Sequence, residues 1–192
     1  MLAHYHGQTW NGAELARSTD VSQPTVKRYV NALTDALVVR QLQPWHANVG
    51  KRPVKSPRVF IRDTGLLHRL LGIDGMLDLE RNPKVGASWE GLVVEHLSTR
   101  PDVVDPSFWS THTAAGIDLR FMVGTSVIGV EIKRTQSPST TKSMHSALET
   151  LELDHLFVVH AGSHRFALGE SITAVPATDV LSAPTAVEAF TA

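Results

Sequence analysis

"GIDLRFMVGTSVIGVEIKRT" occupies Gly116–Thr135 and reads as a strand, a tight turn and a second strand. Gly124-Thr125 is a Gly-X pair, which suits a two-residue type II′ turn. With that turn at the centre, Asp118 falls directly across from Glu131. Strand alternation sends Ile117, Leu119, Phe121, Val123, Ile128, Val130 and Ile132 to one wholly apolar face. Asp118, Arg120, Met122, Val127, Gly129, Glu131 and Lys133 go to the other. Opposed Cβ atoms in such a pair stand about 4.5–5.5 Å apart, and like charges placed there destabilise a sheet. A cationic partner is therefore expected beside the two acids. Lys133, two residues from Glu131 on the same face, is one candidate. A divalent metal is the other, because hard cations such as Mg²⁺ take carboxylate oxygens. Gly129, with no side chain, is expected to leave room beside the carboxylates.

The flanking stretches extend this hairpin into a domain. "VGASWEGLVVEHLSTR" reads as a helix from about Ser88, with Trp89, Leu92, Val93 and Leu97 as its apolar stripe. Glu90 then lies in the first turn, where the helix dipole favours an acid, and it is also able to point toward a metal. "FWSTHT" reads as a short strand, "STTKSMHSALETLEL" as an amphipathic helix and "HLFVVHAG" as a buried strand. The order is helix, three strands, helix, strand: αβββαβ. "SITAVPA" supplies a final strand, and an Ala/Thr-rich tail closes the chain.

The N-terminal part has a different pattern. In "GAELARSTDVSQPTVKRYVNAL", Leu15 and Ala16 lie on one short helix. Ser22 is a good N-cap for a second helix, and Pro24 is tolerated in its first turn. Val26, Tyr29, Val30, Leu33 and Leu37 repeat at helical spacing, while Gln23, Thr25, Lys27, Arg28 and Asn31 face away. "ALVVRQLQPWH" and "PRVFIRD" read as strands joined by "ANVGKRPVKS", a loop with Lys51, Arg52 and Lys55. Two helices, a short turn and a basic-tipped hairpin form the winged-helix pattern. In such a module the second helix enters a major groove and basic side chains meet phosphates. Winged helices also serve as protein–protein connectors. His4 and His6 stand at strand spacing with no third ligand in view, and read as surface or partly packed residues.

Charge divides along the same line. Residues 1–62 hold nine Lys or Arg against three Asp or Glu, and residues 63–192 hold nine against sixteen. A split of this kind suits either a basic surface for a polyanion or two domains that attract each other. The chain has 192 residues, 42% of them hydrophobic, and no cysteine, so it builds no disulfide framework and no thiolate metal site. Its ten histidines form no ligand set for zinc. No apolar run approaches the length of a membrane helix, and the N-terminus lacks a secretory pattern, which makes the cytoplasm the expected location.

Asp118, then Glu131-x-Lys133 on the next strand, with an acid on the preceding helix, resembles the PD-(D/E)XK nuclease superfamily. The whole chain resembles more closely the C-terminal region of bacterial and archaeal AAA-type ATPases, the domain of unknown function DUF4143. The stretches that carry this likeness are "LAHYHGQTWNGAELARSTDVSQPTVKRYVNAL", "KSPRVFIRDTGLLHRLLGI", "VGASWEGLVVEHL", "GIDL" and "VEIKRT", over most of residues 2–160. The resemblance implies an α/β (α+β) chain: a winged helix-turn-helix over 1–82, a restriction-endonuclease-like αβββαβ domain with a mixed sheet over 83–180, and a tail over 181–192. It implies Mg²⁺ or Mn²⁺ held by Asp118, Glu131 and the Ile132 carbonyl. Lys133 then stabilises the transition state, Glu90 helps to position water, and nucleic acid, DNA first, is the partner.

Three departures stand beside the likeness. Full-length relatives carry an ATPase domain upstream, whereas this chain begins after it and has no phosphate loop, since "VGKRP" lacks the first glycine and the terminal hydroxyl residue. No ATP site is therefore expected in this chain, although an ATPase domain or another protein partner is. Gly116 stands where many relatives have glutamate. "GIDL" stands where the superfamily is named for Pro-Asp. The competing expectation is a catalytically inactive nuclease fold kept as a binding or adaptor module for an ATPase.

Overall fold

A computed structural model describes residues 1–45, 56–111 and 115–191. The chain divides into two units. The first comprises Met1–Leu42 and Ser56–Leu92, and the second takes the other described residues.

In the first unit a short 3-10 turn at Leu2–Tyr5 leads into β1 (Gln8–Thr9), α1 (Gly12–Thr19) and α2 (Gln23–Asp35). Asn11 caps α1 by accepting the N–H groups of Ala13 and Glu14, and Asp20 ends it in the left-handed region at φ 52°. Ser22 caps α2, with its oxygen accepting the Thr25 N–H and Pro24 in the first turn, as the sequence leads one to expect. Leu15, Ala16, Val26 and Val30 pack together as the core of this helix pair. Tyr29 and Leu37 do not join them. They are 56% and 67% exposed. Leu37 lies past the end of α2 at φ 59°, where the chain turns out of the helix and its periodicity no longer applies.

Strand β2 (Val39–Pro44) runs antiparallel to β3 (Arg58–Ile61), with Val39 across from Ile61, and β1 adds to the other edge of β3. Two short helices follow, α3 (Thr64–Leu70), capped by Asp63, and α4 (Met76–Arg81). The long helix α5 (Val85–Ser98) comes next, and its residues through Leu92 belong to this unit.

His6 fastens the unit together. It follows a 3-10 turn and is fully buried, which goes beyond the surface or partly packed position read from the sequence. Its Nδ1 accepts the Ile61 N–H at 3.0 Å, which leaves the proton on Nε2 to be donated to the Ala87 carbonyl at 3.1 Å. One neutral ring thus ties the N-terminal turn to β3 and to α5. Phe60 meets the ring edge-on at 5.3 Å between centroids. Gly91 makes the space, since any Cβ there would collide with the imidazole.

The second unit is built on a mixed sheet. Its strands are β4 (Val104–Ser110), β5 (Gly116–Val123), β6 (Ser126–Lys133), β7 (His155–His160), β8 (Phe166–Gly169) and β9 (Ile172–Pro176). Their spatial order is β4-β5-β6-β7-β9-β8. The pairs β4–β5, β5–β6 and β8–β9 are antiparallel, while β6–β7 and β7–β9 are parallel. Gln43 and Pro44, the end of β2, run parallel to Ser107 and Phe108 of β4. Helix α6 (Lys142–Thr150), capped by Thr141, crosses between β6 and β7. The helix–three strands–helix–strand order read from the sequence is present, and the chain is α+β with a mixed sheet.

Residues 181–192, read as a tail, begin with the end of α7 (Ala177–Ser182) and continue into α8 (Ala186–Thr191). Asp102 accepts the N–H groups of Ala186 and Val187 at 2.9 Å each, at the start of α8. Arg165 donates to the carbonyls of Ala189 and Phe190, near its end. Phe190 stacks on Phe157 at 4.2 Å and on Phe121 at 6.3 Å. Burial raises the Asp102 pKa, but the Ala186, Val187 and Asp102 backbone N–H groups and the Arg100 charge together hold the carboxyl below its ordinary value. A stretch of Ala and Thr conceals this docking because the anchoring groups lie far away in sequence.

Two stability measurements test this packing. Burial, with Lys84 and His68 nearby, pushes His6 down from 6.5 to about 4. The unfolded chain therefore binds the extra proton first as pH falls. Stability is fully present above about pH 6.5, and about 3 kcal/mol of it drains away as pH drops toward 4. Urea midpoints that fall in wild type across this window, and fall less in His6→Phe, are the expected outcome. Phe190→Ala is expected to cost about 3–5 kcal/mol of unfolding free energy in the same assay.

Candidate functional site

The β5–β6 hairpin places the candidate site. Gly124 adopts φ +59° and Thr125 does not enter the left-handed region, as a type II′ turn requires. Val123 pairs with Ser126, and the ladder runs without slippage to Leu119 and Val130. The register expected from the turn is the register observed. Beyond Leu119 a side chain takes over. Asp118 Oδ2 accepts the Ile132 N–H at 2.9 Å. Glu131 is buried, with 8% of its surface exposed, and its Oε1 lies 2.6 Å from Lys133 Nζ. Lys133 keeps 43% of its side chain exposed. The acids thus converge on Ile132, one through its amide and one as its chain neighbour, with an ammonium at the open end.

The two faces of the ribbon depart from strict alternation at one residue. Phe121 stacks on Phe190, and Phe157, which neighbours Val130, stacks there as well. Ile117 leaves that side. It packs with Trp109, Met144, Leu153, Leu156 and Val158 in the core beneath α6. Its Cδ1 would lie 2.7 Å from a Cβ at Gly129, and Leu153 Cδ1 would collide with that Cβ. Gly129 therefore makes room for two methyl groups of the core, not for a ligand. Ile117 still pairs with Trp109 of β4, but the β4–β5 register shifts between Ser107 and Trp109, and such an irregularity breaks the alternation that a sequence pattern assumes.

Arg120, on the polar face of the pattern, is 7% exposed. Its guanidinium sits 5.4 Å from the Trp45 ring centroid and 3.4 Å from Asp105 Oδ2. Burial holds it below its ordinary pKa, and Asp105 opposes that. Gly116 is similarly committed. A Cβ there would come 2.9 Å from the Trp109 carbonyl, and the Gly116 N–H donates to Ser143 Oγ at 2.7 Å. A glutamate at position 116 would need this strand end rebuilt.

Glu90 lies in the first unit, on α5, in an ion pair with Arg58 Nη1 at 2.8 Å. Helix α5 begins at Val85 rather than Ser88, because the Asn82 side chain accepts the Lys84 N–H and starts the helix a turn early. Glu90 is consequently beyond the first turn, and the dipole argument for an acid there does not apply. Among the nucleic-acid candidates, Lys27 and Arg28 are exposed, whereas Thr25 is half-buried and its hydroxyl lies 2.9 Å from Ser22 Oγ. A cavity of about 340 Å³ at the start of α2 is lined by Trp10, Gly12, Gln23, Pro24, Lys27 and Ser56. Lys51, Arg52 and Lys55 lie outside the described residues.

Two carboxylates beside a backbone carbonyl are hard oxygen donors of the kind Mg²⁺ and Mn²⁺ take, so the donor set suits such an ion. Among the described residues no group of three or more His, Cys, Asp or Glu side chains is arranged to hold a metal. No helix among them is long and apolar enough to cross a membrane.

These features define an α+β protein with two carboxylates and a lysine gathered at the end of a β-hairpin. Residues 85–180, half of the chain, match the model of a family described as Domain of unknown function (DUF4143), and the chain belongs to that family. Residues 1–77 match a second model, Domain of unknown function (DUF8612). Two curated relatives are the uncharacterized proteins Rv2008c of Mycobacterium tuberculosis and Mb2031c of Mycobacterium bovis. Each is 57% identical over 182 residues, which is 95% of this chain and 41% of the relative. The chain thus spans about two-fifths of the length of these relatives. No solved structure matches it.

Substitutions at Asp118 separate fold from chemistry. Asparagine retains an oxygen to accept the Ile132 N–H, so Asp118→Asn is expected to stay within about 1 kcal/mol of wild type. Asp118→Ala removes that acceptor and is expected to cost about 1–3 kcal/mol, read from urea unfolding.

Proposed function

We propose that this chain is a nuclease-like, nucleic-acid-associated protein. In this reading the first unit is a winged-helix module and the second a PD-(D/E)XK-type fold. The convergence of Asp118 and Glu131 on Ile132, with Lys133 2.6 Å from Glu131, carries the proposal. Asp118, Glu131 and the Ile132 carbonyl would hold one Mg²⁺ or Mn²⁺. When bound, the ion supplies a water of lowered pKa and offsets charge on the scissile phosphate. Lys133, its side chain 43% exposed, presents an ammonium to the phosphate oxygens and stabilises charge that grows in the transition state. Lys27 and Arg28 on α2 hold backbone phosphates of DNA, which makes binding weaken with salt. Glu90 is ion-paired with Arg58 within the first unit. In this reading the chain works in the cytoplasm.

The second reading is a catalytically inactive nuclease fold that serves as a binding or adaptor module for an AAA-type ATPase. The ion pair between Glu131 and Lys133 favours it, because a lysine satisfied by that carboxylate needs no metal beside it. The lengths of the relatives are compatible with a partner domain in cis.

Cleavage assays separate the two. Plasmid and single-stranded DNA are incubated with the protein in millimolar Mg²⁺ or Mn²⁺, beside Asp118→Asn and Lys133→Ala. Metal-dependent cleavage, reduced by about a hundredfold or more in both variants, is the expected outcome. No cleavage in wild type, with no metal-induced thermal stabilisation, establishes the adaptor reading. Cleavage that persists in both variants removes these residues from the chemistry.

A further inference from the structure

A second feature lies just past Lys133. A cavity of about 480 Å³ opens where the chain leaves β6 and β7, lined by Gln136, Ser137, Gly162, Ser163, His164 and Phe166 among others. Its place relative to the acid–lysine cluster is fixed by the backbone. Lys133 pairs with His160 in the parallel ladder, and the Ala161 N–H donates to the Thr135 carbonyl at 2.8 Å. Gln136 follows Lys133 by three residues, a span of about 10 Å at most.

The cavity is preorganised by a buried histidine. His160 is fully buried, and its Nδ1 accepts the Gly162 N–H at 3.0 Å. Its Nε2 therefore carries the proton and donates to the His164 carbonyl at 3.1 Å. The same ring meets Phe166 at 62° and 5.5 Å, which steadies the phenyl group while 36% of Phe166 stays exposed. A Cβ at Gly162 would collide with the Gln136 carbonyl, so only glycine lets the two loops close to form this wall.

The lining selects the ligand class. Among the described residues that line it, none is an acid, lysine or arginine, which disfavours a metal or a multiply charged anion. One aromatic ring among amide, hydroxyl and imidazole groups is too polar for a lipid or an apolar ligand. It suits a flat heterocycle with donors and acceptors on its edge, stacked on one face. We infer that this cavity takes an unpaired nucleobase of the strand whose phosphate lies at Lys133. Phe166 stacks on the base, and Gln136, Ser137 and Ser163 meet its edge. The inference rests on the nuclease-like reading and narrows its substrate to nucleic acid with at least one unpaired or extruded nucleotide, because a base inside a duplex cannot enter a side cavity.

Binding without metal tests it apart from hydrolysis. Fluorescence anisotropy in EDTA uses the full chain and a labelled single-stranded DNA of about ten nucleotides. One abasic position is walked along the strand. An abasic position is expected to weaken wild type about tenfold or more, Phe166→Leu to weaken the intact strand similarly, and the two losses not to add. Phe166→Tyr is expected to bind like wild type. Gln136→Ala, at an exposed position, gives an independent loss if Phe166→Leu disturbs the fold. A flat abasic scan, or Phe166→Leu and Gln136→Ala both binding like wild type, overturns the inference. So does complete displacement of the strand by micromolar deoxyadenosine monophosphate, which would assign the cavity to a free nucleotide. Cleavage in Mg²⁺ alongside a flat scan sinks the base site alone. Base-dependent binding without cleavage sinks hydrolysis and leaves the base site standing.

Discussion

The left-handed turn at Gly124 governs the second unit. It sets which residue of β5 meets which residue of β6, and a slip of one would turn the polar set into the core. From that register the Asp118 carboxylate reaches the Ile132 amide, and Glu131 falls into contact with Lys133. The parallel pairing of β6 with β7 then carries the same register to His160 and the loop it braces. Chemistry-bearing groups thus gather at the carboxyl ends of β6 and β7, where parallel strands commonly present binding sites.

The first unit depends on a different kind of contact. A neutral imidazole with both nitrogens engaged by backbone groups replaces what would otherwise be a greasy plug. This choice specifies position as well as burial, because each nitrogen demands its own partner. The small residue at Gly91 completes the arrangement by letting α5 approach the ring. Helix capping by Asn11, Ser22 and Asp63 adds local definition where the helices are short.

Much of this was legible in the residues, and the gaps have physical causes. The hairpin, α2, α6, β7 and β9 follow from alternation, helical spacing and caps, which are local signals. Glu90 was misplaced because Asn82 starts α5 earlier than the apolar stripe suggests. Ile117 was assigned the wrong face because the β4–β5 register shifts between Ser107 and Trp109, which no local pattern announces. His6 and α8 were unreadable for a shared reason. Their partners, Ile61 and Ala87 for one, Asp102 and Arg165 for the other, are tens of residues away, so no window of sequence contains both halves of the contact. The polar cavity at Phe166 was hidden in the same way, since its two walls come from separate loops.

The hole left by Gly129 has an implication for how this protein is dissected. Methyl groups of Ile117 and Leu153 fill it, directly below the strand that bears Glu131. Any larger residue there would collide with Leu153 and Ile117 and displace the strand that bears Glu131. A substitution at this position would therefore disturb the acid–lysine cluster without touching it. Melting curves would reveal the cause as a wedge driven into the hydrophobic layer.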